Sequence, residues 1–348
     1  VENIMGRIKK KAVNIVERYG GIVNQFVGDE ILALFGIPTA HEDDPLRAVK
    51  ASLELHKMVR QMSPEVEDRI GKPITMHTGI NTGLIVTSLR DNRDGLYGIT
   101  GETVNTGARL KLHAGPDEIL ASPETMSLIG PYFETVAIEK IKMKGKTESM
   151  APYKITGESK IHTRIEVSEQ KGFTPYTGRE TELDILNGCL DKAIKGEGQF
   201  VTIVGEAGAG KSRLHYELRH RLDREKITVL QGWCQSYGND IPYLPLIDGL
   251  RRGLNLKEEQ SPKELLDKAV RNIKLIDPSL ERFIPLYLHL LSIPSEFHLP
   301  ENLQGKELRE ALEEALSAII TQNTQHAPMV LILEDWHWSD DASQSALL

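Results

Sequence analysis

Apolar side chains in the first half of the chain recur with helical spacing in some segments and with strand-like spacing in others. Apolar residues three and four apart predict a helix over residues 4–19, which ends at Gly20-Gly21. Two apolar runs, GIVNQFV and ILALFG, flank the polar tip Gly28-Asp29-Glu30 and predict a β-hairpin. The same patterns predict further helices over 44–62 and 103–113, and strands within 74–89, at 118–121 and within 133–155. Helices and strands are therefore mixed over residues 1–157.

The second half contains short apolar runs of the kind found in buried parallel strands. Residues 158–174 are polar, charged and aperiodic, and we interpret them as a linker. A predicted helix over 180–194 is followed by apolar runs at 199–204, 227–231 and 329–333, with helical segments between them. This order predicts an α/β domain over residues 175–348, with a parallel sheet covered by helices on both faces.

Length and charge narrow the class of protein. A chain of 348 residues exceeds one average core, and two domains are predicted. No apolar run approaches the roughly 20 residues of a membrane helix, so no membrane segment is predicted. The net charge of −8 argues against a sequence-independent nucleic-acid binder, which needs excess positive charge facing the phosphates.

The two cysteines, Cys189 and Cys234, are far apart and lack a CxxC spacing. A disulfide framework or a thiolate zinc site is therefore not expected, and a reducing, cytoplasmic compartment is predicted. The sequence begins at Val1 without a signal-peptide pattern and stops within a predicted domain. We expect it to be part of a longer protein.

A glycine-rich segment follows the run at 199–204 and precedes a predicted helix. It reads Gly205-Glu206-Ala207-Gly208-Ala209-Gly210-Lys211-Ser212 and fits the pattern GxxxxGK[ST]. In such a loop, backbone N–H groups surround the phosphates, the lysine reaches the β and γ oxygens, and the hydroxyl binds Mg²⁺. The segment therefore predicts a nucleoside triphosphate site, against the alternative of a chance glycine loop.

A second element of that site is predicted at the end of the last apolar run. Residues 329–333 lead directly into Glu334-Asp335, whose carboxylates suit the magnesium shell and the polarisation of water. Alone, this run reads equally well as an ordinary core strand with a charged end. Together with the glycine loop it predicts a Walker B strand, in which the division of roles between the two acids stays open.

Three separated blocks of the second half resemble the signal-transduction ATPases of the AAA-related class. They are TPYTGRETELDIL, GQFVTIVGEAGAGKSRLHYEL and LILEDWHWSDDASQSALL, in this order. The resemblance implies that Lys211 and Ser212 bind phosphate and magnesium. It also implies that Glu334 and Asp335 share the metal-binding and catalytic acidic roles, with ATP as the ligand.

In the first half, candidate chemistry lies at three places. Asp29 is at the hairpin tip, where a carboxylate can reach a metal ion. Asn105 and Arg109 are four apart on a predicted helix and so share a face. Lys144 belongs to the basic segment KMKGK. Taken singly, Asp29 can also be interpreted as a turn aspartate, Asn105 and Arg109 as a surface pair, and Lys144 as part of a solvated basic hairpin.

Their order resembles a class III nucleotidyl cyclase domain, whose fold is ferredoxin-like α+β. The blocks are YGGIVNQFVGDEILALFGIPTAHEDDPLRAV, HTGINTGLIV, YGITGETVNTGARLKLHAGPDEILAS and KIKMKGKTESMAPYKI. The resemblance implies attack of the ribose 3′-hydroxyl on the α-phosphorus, with Mg²⁺ or Mn²⁺ held by two aspartates. Asp29 matches the second aspartate, and the first is expected before Val1. Asn105 matches the ribose-positioning asparagine, Arg109 the α-phosphate arginine, and Lys144 a lysine on the terminal phosphates.

In that family the site is completed by a head-to-tail homodimer. Gln25 stands where the resemblance places a base-selecting lysine or glutamate, and Gly98 where an aspartate or threonine is expected. Base choice therefore stays open, and ATP is preferred because cyclases joined to such ATPases, including the soluble adenylyl cyclases, generally make cyclic AMP. The predicted function is an adenylyl cyclase regulated by an attached ATPase. The alternatives are a degenerate cyclase domain that dimerises or senses nucleotide, and an ATP-gated scaffold.

Overall fold

Helices and short strands build two units, unit 1 (Val1–Gly172) and unit 2 (Phe173–Leu348). The computed structural model describes residues 2–89, 97–142, 149–159, 161, 163–206, 208–223, 226–234, 242–257, 260–300 and 303–347. The predicted α/β class is confirmed, since both units combine helices and strands. Among the described residues, no helix is both long enough and apolar enough to cross a bilayer.

Unit 1 contains both long amphipathic helices and short strands. Its helices are α1 (Glu2–Arg18), α2 (Asp44–Ile70), α3 (Glu102–His113), α4 (Pro123–Ile129) and α5 (Arg164–Lys171), with a 3₁₀ turn at Gly130–Tyr132. Its strands are β1 (Gly21–Val27), β2 (Glu30–Phe35), β3 (Thr78–Ile80), β4 (Val86–Leu89), β5 (Tyr97–Thr100), β6 (Ile119–Ala121), β7 (Phe133–Ala137), β8 (Ile141–Lys142), β9 (Ser149–Met150) and β10 (Tyr153–Glu158).

The predicted hairpin is present as β1 and β2, which pair antiparallel. Gly28 takes a left-handed φ of 64° in the connecting turn, a conformation that glycine adopts without steric cost. Apolar residues of α1 and α2, such as Ala12 and Val66, form a buried core against which β1 and β2 pack. The hairpin tip, which carries Asp29, therefore projects from a packed base.

Helix α2 runs eight residues beyond the predicted end at residue 62, to Ile70. Pro64 lies inside it, where proline normally disrupts a helix. Met62 and Val66, one turn apart, are both buried against α1, and Arg7 forms an ion pair with Glu65 at 2.7 Å. Packing on α1 thus outweighs the local preference at Pro64, and the helix ends where Gly71 adopts the left-handed conformation.

A four-stranded sheet in the order β3-β6-β10-β7 forms the other core of unit 1. β3 pairs parallel to β6, whereas β10 pairs antiparallel to both β6 and β7. The two strands predicted within 74–89 exist but do not pair together, because β4 pairs with β5 instead.

Helix α5 lies within the predicted linker and begins with a capping box formed by Thr163 and Glu166. The assignment of 158–174 as a linker stays a prediction.

Unit 2 is mainly helical outside one parallel strand pair. Its helices are α6 (Glu180–Ile194), α7 (Lys211–Arg221), α8 (Leu244–Gly253), α9 (Pro262–Ile276), α10 (Ile284–Leu290), α11 (Gly305–His326) and α12 (Asp341–Ala346), with 3₁₀ turns at Pro278–Phe283 and Trp336–Trp338. Its strands are β11 (Thr228–Trp233) and β12 (Met329–Glu334), paired in parallel from Thr228↔Met329 to Trp233↔Glu334.

The strand predicted at 199–204 is wrong in this structure. Those residues have no regular secondary structure, and Phe200 and Val204 are 85% and 86% exposed. A strand needs a neighbouring strand for its backbone hydrogen bonds, and none of the described strands pairs with 199–204. The largest apolar core of unit 2 is instead helical, built by α8 to α11 around residues such as Tyr287 and Leu291.

Candidate nucleotide-binding sites

The hairpin tip of unit 1 is tied to helix α3 by an ion pair. Asp29 is exposed in the turn, and the next residue, Glu30, accepts a short charged hydrogen bond from Lys111 Nζ. Lys111 lies two residues after Arg109 on α3. The structure therefore brings the hairpin that carries Asp29 beside the helix that carries Asn105 and Arg109.

Asn105 and Arg109 occupy one face of α3, as the spacing predicts. Asn105 is exposed and Arg109 is half-buried, whereas Thr106 and Leu110, about 100° further round the helix, are buried. α3 contacts the sheet through β3, where Gly79 lies so close that an added Cβ would stand 2.2 Å from the Gly107 carbonyl oxygen. This close packing fixes α3 and leaves the Asn105 and Arg109 face outward.

Gln25 and Gly98 lie on neighbouring segments. A β-bulge between Val23 and Gln25 turns Asn24 inward, where it is 5% exposed. The Asn24 Oδ1 atom accepts a hydrogen bond of 3.0 Å from the backbone N–H of Tyr97, the residue before Gly98. Since Gln25 follows Asn24 and Gly98 follows Tyr97, the bond brings the strand that carries Gln25 next to the strand that carries Gly98.

Lys144 and Ala207 lie outside the described residues, so their predicted roles stay predictions.

Carboxylate oxygens are ligands that Mg²⁺ prefers, and the exposed Asp29 fits one ligand position. In the part of the chain that the structure describes, no three metal-binding side chains of the His, Cys, Asp or Glu type come together. Asp29 is therefore the carboxylate that unit 1 offers to a metal ion at the hairpin tip, since the neighbouring Glu30 is engaged by Lys111.

In unit 2, the glycine-rich segment forms a turn into α7. Gly208 and Gly210 have left-handed φ values of 78° and 80°, which glycine permits. Lys211 Nζ donates hydrogen bonds to the carbonyl oxygens of Gly205 at 2.8 Å and Glu206 at 2.9 Å. The ammonium group is thus held over the loop, at the positively polarised start of the helix.

A cleft of about 250 Å³ lies beside this loop and is lined by residues 174–177, Arg179, Gly210 and Arg213. Arg213 contacts the segment that lines the cleft. Its guanidinium stacks 3.7 Å from the Phe173 ring centre and donates to the Thr174 carbonyl oxygen at 3.3 Å. Arg179 donates to the carbonyl oxygen of Ala209 in the loop. The cleft and the phosphate loop therefore form one continuous surface.

The two acidic residues at the end of β12, Glu334 and Asp335, have different surroundings. Asp335 is exposed and takes a left-handed φ of 54°, whereas Glu334 is only 9% exposed. Ser212, in the first turn of α7, is also exposed. The hydroxyl of Ser212 and the carboxylate of Asp335 are oxygen donors suited to Mg²⁺, while Glu334 is already engaged by protein N–H groups.

Sequence reasoning missed the residues that surround Glu334. Its Oε1 atom accepts hydrogen bonds from Gln231 Nε2 at 2.5 Å and Trp233 Nε1 at 2.9 Å, and its Oε2 atom lies 2.9 Å from His215 Nε2. Burial alone would raise the pKa of Glu334, but the contacts with His215, Gln231 and Trp233 outweigh it and lower the pKa. The spacing of His215, four residues after Lys211 on the same helix face, is the sequence feature that could have indicated this group.

Comparison with known protein families assigns each half of the chain. Residues 175–348 match the family described as AAA ATPase domain, and residues 8–157 match the adenylate and guanylate cyclase catalytic domain. An uncharacterised protein of Rhizobium meliloti is 25% identical over 351 residues, covering 99% of this chain. The chain spans only 33% of the length of that relative.

Two further similar proteins match part of the chain. The guanylate cyclase soluble subunit beta-2 of Rattus norvegicus is 28% identical over 121 residues, which are 34% of this chain and 17% of that protein. The crystal structure of the guanylyl cyclase Cya2 has a TM-score of 0.43 and 27% identity, and the match covers 45% of this chain and 81% of that one. The chain thus belongs to the AAA ATPase domain family over residues 175–348, and its residues 8–157 match the adenylate and guanylate cyclase catalytic domain.

Proposed function

We propose that the chain belongs to an adenylyl cyclase that converts ATP to cyclic AMP and pyrophosphate, and that its P-loop unit binds ATP and regulates this reaction. The observation that carries the proposal is the contact between Lys111 and Glu30, which brings α3 beside the Asp29 hairpin. The chain therefore carries a carboxylate at the hairpin tip and an amide and a guanidinium on the neighbouring helix, and a head-to-tail pair of chains would bring the carboxylate of one copy to the amide and guanidinium of the other. These are the groups that a cyclising phosphoryl transfer needs.

In this mechanism the chain's own residues bind and orient the nucleotide. Asn105 binds the ribose, Arg109 neutralises charge developing on the α-phosphate, and Lys144 contacts the terminal phosphates. Asp29 holds one divalent cation, which when bound supplies positive charge to the triphosphate and the attacking hydroxyl. Because Asn105 is exposed and Arg109 is half-buried on the outward face of α3, a second copy in head-to-tail orientation can complete the site.

The first experiment measures cyclic nucleotide and pyrophosphate formation by the natural protein, with any residues that precede Val1. ATP and GTP are offered separately, each with Mg²⁺ and with Mn²⁺. We expect cyclic AMP from ATP in preference to cyclic GMP from GTP. Nucleotide binding without pyrophosphate release from either substrate would instead support the degenerate sensor domain.

The hydrogen-bonding groups of the side chain at position 25 predict how the choice between ATP and GTP responds to mutation. A glutamine amide both donates and accepts hydrogen bonds, whereas lysine only donates and ionised glutamate only accepts. Guanine presents two donors, N1–H and N2–H, on the edge where adenine presents an N1 acceptor. Gln25→Glu is therefore expected to shift the ATP to GTP ratio of kcat/KM towards GTP by about tenfold, the effect of one charge-assisted hydrogen bond.

Competing ATP and GTP in one assay measures that ratio directly. Gln25→Lys should move it in the opposite direction, towards ATP. Gln61→Glu, an exposed position on α2, is the matched control and should leave the ratio unchanged. Equal ratios in all these variants would show that Gln25 does not contact the base.

A further inference from the structure

Glu334 of unit 2 is a buried carboxylate held from two sides. Gln231 and Trp233, both on β11, donate to its Oε1 atom, while His215 on α7 lies against Oε2. Two hydrogen bonds on Oε1 occupy the usual acceptor positions of that oxygen. Oε2 is therefore the oxygen that faces α7, the helix that begins with Lys211 and Ser212.

The donors around Glu334 are themselves fixed by neighbouring side chains. Arg219, one turn after His215 on α7, donates to Gln231 Oε1 at 2.6 Å, which directs the amide nitrogen of Gln231 towards Glu334. Arg252 stacks over the Trp233 ring at 4.0 Å from its centre. Since each donor has a second partner or a packed ring, the carboxylate of Glu334 has one defined orientation.

His215 has an unusual position for a purely structural residue. It is 7% exposed, and neither of its ring nitrogens has a hydrogen-bond partner of good geometry among the described residues, although Nε2 lies 2.9 Å from Glu334 Oε2. An unpartnered buried polar atom costs stability, so an apolar side chain would be cheaper if packing alone mattered. His215 follows Lys211 by four residues and Ser212 by three, which places it one turn below both on α7.

We propose that His215, Gln231 and Trp233 are positioning residues that fix the orientation of the Glu334 carboxylate, with Oε2 on the side of α7, so that Mg²⁺ binds with ATP at the phosphate loop. This inference rests on the proposed binding of ATP and Mg²⁺ by unit 2. A fixed negative charge on this side attracts the cation without first having to reorganise. His215, Gln231 and Trp233 should therefore strengthen ATP binding in the presence of Mg²⁺ and leave ATP binding without the metal unchanged.

The test measures the Kd of ATP in Mg²⁺ and in EDTA for the full chain carrying Arg109→Ala, which weakens nucleotide binding at unit 1. The quantity of interest is the Kd in Mg²⁺ divided by the Kd in EDTA. Trp233→Phe removes one N–H and keeps a stacked ring, and His215→Leu removes the contact with Oε2. Each should raise the ratio of the Kd in Mg²⁺ to the Kd in EDTA about fivefold, the effect of one hydrogen bond of ordinary strength, with the Kd in EDTA unchanged.

Two comparisons separate positioning from general structural damage. His215→Gln keeps an N–H donor and should restore most of the ratio, and His326→Gln, an exposed histidine of α11, should not change it. In a Glu334→Gln chain, His215→Leu should have no further effect, because the carboxylate it positions is gone. If packing alone explains His215, the leucine variant melts at the same or a higher temperature and keeps the wild-type ratio.

The possible results distinguish the positioning role of His215 and Trp233 from ATP binding by unit 2. Equal Mg²⁺ to EDTA ratios in the wild-type, Trp233→Phe and His215→Leu chains would overturn the positioning role while leaving ATP binding by unit 2 intact. An absence of ATP binding with or without Mg²⁺ would overturn the proposed binding and regulation of ATP by unit 2, and this inference with it. If His215→Leu does not fold, Trp233→Phe decides the question by itself.

Discussion

Replacing Asp29 by asparagine is expected to lower the rate of cyclic nucleotide formation about a thousandfold, because a metal ion stabilises the transition state by several kcal/mol. Asparagine keeps the size of the side chain but loses the negative charge that holds the cation. Asp29 is exposed at the hairpin tip, so the substitution removes no buried contact. The melting temperature should therefore stay at the wild-type value, and the loss appears in the chemical step.

The measurement is initial-rate cyclic AMP formation by the natural protein at saturating ATP, with Mg²⁺ and with Mn²⁺. Asp68→Asn, an exposed aspartate on α2, is the matched control and should retain wild-type activity. An Asp29→Asn protein that keeps more than about a tenth of the activity would mean that the carboxylate contributes less than one charge-assisted hydrogen bond, and would remove Asp29 from the metal site.

Replacing Lys211 by alanine is expected to weaken ATP binding by unit 2 about 10- to 100-fold, the effect of losing a hydrogen bond to a charged group. In the structure the ammonium group of Lys211 is held over the loop by the carbonyl oxygens of Gly205 and Glu206. From there it can reach the phosphates of a nucleotide in the adjoining cleft. Alanine removes the charge and leaves the glycine turn and α7 in place.

The measurement is the rise in melting temperature that ATP and Mg²⁺ produce in a chain carrying Arg109→Ala. A ligand at a hundred times its Kd stabilises the folded state by about 2.7 kcal/mol. At the same ATP concentration the stabilisation should fall to about 1.4 kcal/mol for a 10-fold loss of affinity and to about 0.4 kcal/mol for a 100-fold loss in Lys211→Ala. It should persist in Lys192→Ala, an exposed lysine of α6. The same shift in both variants would place the ATP site away from the glycine loop. If the P-loop regulates the cyclase, Lys211→Ala should also change the rate of cyclic AMP formation.

Local patterns were enough to predict several elements that carry the candidate sites. The hairpin of β1 and β2, helix α3 and the start of α7 each follow from glycine positions and apolar spacing within a short window. For the same reason, the shared face of Asn105 and Arg109 could be predicted from their separation of four residues. These features depend on backbone geometry, which neighbouring residues largely determine.

Other features depended on contacts that no local window contains. α2 continues through Pro64 because Met62 and Val66 pack on α1, and residues 199–204 stay irregular because no described strand pairs with them. The bulge that turns Asn24 towards Tyr97 likewise depends on pairing with β2. In each case the energy of packing or pairing with a distant segment outweighs the local preference.

The sequence by itself determined the two-part composition, the α/β class and the identity of the candidate residues, because motifs such as GxxxxGK[ST] place chemistry at short, regular spacings. Only the tertiary structure decided which residues meet. Lys111 and Glu30 are 81 positions apart, and Gln231 and Glu334 are 103 apart. Charge contacts over such separations follow from how helices and strands pack, and packing depends on the whole set of buried side chains rather than on any one segment.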